Sequence, residues 1–103
     1  MLTAREVREI ILERFKAQGY SQVPGYNRFG FVQGTENALV VSREAGQPTR
    51  FPITKIDQAI SAARSDPAVY DGGPGRLRDH GITHINSVLW SLLHLASKSE
   101  ILG

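Results

Sequence analysis

The chain of 103 residues contains no cysteine. That absence excludes a disulfide framework, a thiolate metal centre and a cysteine nucleophile, and it suits a reducing, cytoplasmic setting. No apolar run approaches the roughly 20 residues needed to cross a bilayer, so no membrane partner is expected. Met1–Glu6 opens a charged helix and lacks the apolar stretch of a secretory signal. An excess of one charge is also missing. Twelve Lys and Arg stand against ten Asp and Glu, for a formal net charge of +2, and neither sign is massed in a tail. Tryptophan occurs once, at Trp90. What is present, 41% hydrophobic and 21% charged residues, is the composition of one soluble globular domain spanning residues 1–103.

Helical and strand patterns alternate along the chain. Thr3-Ala4-Arg5-Glu6 has the form of a capping box, in which the Thr3 hydroxyl and the Glu6 carboxylate satisfy amides at a helix start. Ala4, Val7, Ile10, Ile11 and Phe15 continue as an apolar stripe at helical spacing, and Gly19 is the expected stop. Phe29–Gln33 and Ala38–Arg43 are predicted strands joined by Gly34-Thr35-Glu36-Asn37. Arg50–Ile53 is a third, placed at an edge because Pro52 cannot donate to a ladder. Thr54 is the expected cap of a second helix carrying Ile56, Ala59, Ile60 and Ala63, which ends before Pro67. A last helix from Thr83 or His84 to Ser97 is apolar over a broad arc and is the expected core helix. The predicted class is α+β: an N-terminal helix, a three-stranded antiparallel sheet, then two helices, in the order α-β-β-β-α-α.

Asp71–His84 gathers four of the ten glycines, two arginines, two of the three histidines and two aspartates. Loops of this kind commonly hold binding groups on a rigid scaffold. Glycine amides with Arg76 and Arg78 suit an anion, but neither a P-loop nor a dinucleotide fingerprint is present, so the segment reads first as a long charged connection with its arginines in water. His80 and His84 lie four apart, the spacing of a helical zinc pair, but Gly81 interrupts them and no third ligand has recognisable spacing. No metal or cofactor is therefore expected. With Asp71 or Asp79, the histidines also suit acid–base work.

On the last helix, Asn86, Trp90 and His94 fall in an i, i+4, i+8 line beside the apolar stripe. Tryptophan on such an edge either anchors a partner or is covered, with its indole N–H on a carbonyl. Arg28, Arg43, Arg50, Lys55, Arg76 and Arg78 are interspersed with Tyr20, Tyr26 and Phe51. Converging on one sheet face, they would suit phosphates and bases.

The leading expectation is a non-enzymatic binding or interaction protein that self-associates or binds a protein partner. Its candidate residues are Arg76, Arg78, His80, His84, Asn86, Trp90 and His94. A nucleic-acid-binding protein contacting phosphates through arginines is the alternative, and a small His/Asp enzyme the third.

Overall fold

The Thr3 capping box forms as the sequence implies. The Thr3 hydroxyl accepts from the Glu6 N–H at 3.1 Å, while the Glu6 carboxylate accepts from the Thr3 N–H at 2.9 Å. From it runs α1 (Ala4–Gln18), which ends on Gly19 at φ 86°. That left-handed C-cap suits glycine because it has no Cβ to clash. Val7, Ile11 and Phe15 of α1 are fully buried. The computed structural model describes every residue from Met1 to Gly103.

Four strands follow, one more than the pattern indicated: β1 (Tyr20–Ser21), β2 (Phe29–Gly34), β3 (Ala38–Arg43) and β4 (Thr49–Pro52). They form an open antiparallel sheet in the order β1-β2-β3-β4. Two residues are too few to show a period of two, so β1 was not legible as a strand. Pro52 lies on the edge strand, as its missing N–H requires. One face of the sheet buries Phe29, Leu39, Val41 and Phe51, joined by Phe31, whose ring meets Phe15 of α1 edge-on at 5.6 Å. The other face aligns Tyr20, Gly30 and Ser42 in one cross-strand row and places Val40 beside Arg50. The register shifts between Phe31 and Gln33, and Val32 there is 53% exposed.

The remaining chain is helical: α2 (Thr54–Ser65), the single turn α3 (Ala68–Asp71), a 3-10 helix (Pro74–His80), α4 (Asn86–Leu93) and α5 (Lys98–Leu102). Three expectations are corrected here. The residue preceding α2 is Ile53, and Thr54 is the first helical residue without a side-chain cap. The Asp71–His84 segment is largely structured, because Leu77 is fully buried and holds the 3-10 turn to the core. The last predicted helix is shorter than expected, ending at Leu93, and a separate, unpredicted helix, α5, follows beyond Ser97. α4 starts at Asn86 after Ile85 at φ 55°, and Ser97 caps α5 in a second capping box with Glu100.

The core unites the sheet's inner face with α1, α2 and α4. Ala59, Ala62 and Ala63 are buried on α2, so its small side chains allow close packing. Val88, Leu89, Leu92 and Leu93 of α4 lie at or near zero exposure, which makes α4 the central helix, as its apolar arc implied.

Candidate functional site

The glycine-rich segment turns its charges onto one carboxylate. Asp66, at the end of α2, accepts from Arg76 Nε at 2.7 Å and lies 3.2 Å from His80 Nε2. The Arg76 guanidinium, then the His80 ring, hold the Asp66 carboxyl below its ordinary range, and Asp66 in turn raises the already high pKa of Arg76. A guanidinium and an imidazole committed to one acid brace the 3-10 helix against α2. His80 also borders a shallow depression with Asp57, Ser61 and Ser65. Arg78 is exposed and enters none of the six ion pairs.

The Asn86, Trp90 and His94 line is taken up inside the molecule. Asn86 Nδ2 donates to the Ile82 carbonyl at 2.8 Å. The Trp90 indole N–H is shared between the carbonyls of Val69 and Tyr70 at 2.9 and 3.2 Å, and only 4% of the residue is exposed. This is the covered arrangement in which a buried indole finds an internal acceptor. Tyr26 packs edge-on against Trp90, and His94 stacks on Tyr70 with ring centroids 4.0 Å apart. His94 Nε2 lies 2.8 Å from the Tyr70 carbonyl. Burial pushes its pKa down, against the opposing pull of that carbonyl.

His84 stands apart from His80. It lines a pocket of about 230 Å³ with Arg50, Phe51, Lys55, Gly81, Ile82, Thr83 and Ile85. Beta-branched residues rarely adopt positive φ, so Ile85 marks a forced turn that carries the pocket wall into α4. No three His, Asp or Glu side chains gather as a metal-binding group.

A larger groove of about 760 Å³ lies where α1 ends beside β1 and α4, lined by Arg14, Gln18, Tyr20, Ser21, Ser91 and His94 among others. Its charged member is committed: Arg14 holds Glu100 in a two-pronged pair at 2.7 and 2.8 Å. That pair, with the cap of α5, depresses the Glu100 pKa to about 2.

The sheet differs from the helical layer. The Arg28 guanidinium lies 3.9 Å over the Tyr20 ring, a cation–π contact at one end of the open face. An added Cβ on Gly30 would come within 2.4 Å of the Ser42 hydroxyl, so glycine keeps the middle of this row flat. Arg50 is exposed on the neighbouring edge strand. Arg43, at the end of β3, lies 5.9 Å from the Phe29 ring and bonds Thr49. No known protein family, curated protein or solved structure matches the chain.

Of the sequence candidates, Arg76 and His80 thus meet on Asp66, Trp90 and His94 meet around Tyr70, and Arg78 and His84 stand outside both groups. The Asp66 hub and the union of His84 with Arg50 and Lys55 were not anticipated. Neither has a sequence signature, because each joins residues from separate elements.

Proposed function

We propose that the chain is a non-enzymatic nucleic-acid-binding module. The open sheet face and its β4 edge contact the phosphates of a single strand through Arg28, Arg50 and Lys55, and the Tyr20–Arg28 stack offers a platform for a base. One observation supports this above the others. All six ion pairs join residues outside the Tyr20–Lys55 segment. That segment holds Arg28, Arg43, Arg50 and Lys55 against Glu36 and Glu44, so the formal net charge of +2 resides there. Cations left without acids beside a flat, partly aromatic surface suit a polyanion.

The reading built on Asp71–His84 and Trp90 draws less support, because most of those side chains already have internal partners. Fluorescence anisotropy with a labelled single-stranded oligonucleotide tests the proposal. Affinity that falls steeply between low and physiological salt is the expected result, and no binding at low salt would overturn it. Self-association or a protein partner is the second reading. It is favoured by Val32 at 53% and Tyr26 at 47% exposure, and a concentration-dependent dimer in light scattering is its mark.

A further inference from the structure

The pocket between β4, the start of α2 and the Gly81–Ile85 turn is unlike the others in its charge. Its walls bring together Arg50, Lys55 and His84 from three separate parts of the chain, and no carboxylate lines it. None of these three enters an ion pair, and Lys55 has only a long 3.5 Å contact with Gln58. Thr83 adds a hydroxyl, and Phe51 and Ile82 form the buried apolar side.

We infer that this pocket binds a phosphomonoester. A monoester carries about −1.5 to −2 charges near neutral pH. That matches the two permanent cations, Arg50 and Lys55, with the His84 ring and the Thr83 hydroxyl as further hydrogen-bond partners. A phosphodiester brings a single charge and a chain that must leave at both ends. A recess of about 230 Å³ suits a terminal group better. Arg50 belongs both to this pocket and to the open sheet face, so a strand laid on the sheet can end here. In that form the inference rests on the nucleic-acid reading, and the group is the strand's terminal phosphate. A free phosphomonoester offers the same chemistry.

Two measurements separate these sources. In the first, the backbone amides of Gly81–Ile85 are followed by NMR while the protein is titrated with thymidine 5′-monophosphate or with thymidine. The monophosphate shifts them and thymidine does not, and His84→Gln and Lys55→Gln each weaken the response by about tenfold. Both side chains reach solvent, and circular dichroism verifies that the variants fold. In the second, two oligothymidylates labelled at the 3′ end and differing only in a 5′-phosphate or 5′-hydroxyl are compared by anisotropy. The phosphorylated strand binds more tightly, and His84→Gln removes the difference.

Monophosphate shifts without binding of either strand would keep the pocket for free monoesters and sink the sheet reading. Equal binding of both strands with no monophosphate shifts would keep the sheet reading and overturn the pocket. Silence in both measurements would overturn both.

Discussion

The hydroxyls of Ser21 and Ser91, 70 residues apart in the chain, meet at 2.6 Å inside the protein. Ser21 belongs to the short edge strand β1 and Ser91 to the core helix α4, and both are at most 2% exposed. This bond fastens one end of the open sheet to the helical layer. Its energetic weight lies in what happens when one partner is lost, since a buried hydroxyl without a partner bears the full cost of leaving water.

Ser91→Ala is expected to destabilise the fold by about 1–3 kcal/mol. Adding Ser21→Ala should cost less than its own single effect, because both partners are then gone. Urea denaturation of the two singles and the double measures the coupling. Strict additivity would refute a direct bond.

The Arg14–Glu100 pair makes stability depend on acid. The Glu100 pKa is depressed from 4.5 to about 2, so its contribution is complete above the ordinary value and is lost as the pH falls from there through the folded value. Arg14→Ala is expected to raise the Glu100 pKa and weaken the loss in that window. The shift stops short of 4.5 because the Ser97 N–H still donates to the carboxylate. NMR titration of the Glu100 side-chain carbonyl carbon reads this directly, and an unmoved pKa would rule out Arg14 as the main cause.

His94 acts in the neutral range. Its folded pKa lies below the ordinary 6.5, so the unfolded chain takes up the proton first. Stability from neutral His94 is therefore complete above 6.5 and declines as the pH falls toward the folded value. His94→Gln is expected to flatten that part of the profile of urea midpoint against pH between about pH 5 and 8. The same slope in both proteins would exclude His94 as its source.

For the sheet surface, Arg28→Ala and Arg50→Ala are each expected to weaken single-strand binding. Each should reduce the slope of log affinity against log salt by about 0.7, the value for one phosphate contact on a single strand. Arg76→Ala serves as the contrast, because its guanidinium is engaged with Asp66, and it should leave the slope unchanged. Equal effects of all three would point to general charge rather than the sheet.

The sequence by itself determined the elements whose information is local. The Thr3–Glu6 box, the Gly19 stop, the two central strands, the edge position of Pro52 and the core role of α4 each follow from neighbouring residues, periodicity or backbone chemistry. It also offered both outcomes for Trp90, and the Val69 and Tyr70 carbonyls decided between them. What the tertiary structure alone decided depends on contacts between distant segments. Asp66 claims Arg76 and His80 across 10 and 14 residues, Leu77 ties down a segment rich in glycine, and β1 exists only because β2 offers it a ladder. The same packing consumes the ion pairs of the helical layer and leaves the sheet's arginines without acids. Composition reports a charge of +2, but the placement of each charge beside or away from an opposite one arises only when the chain has folded.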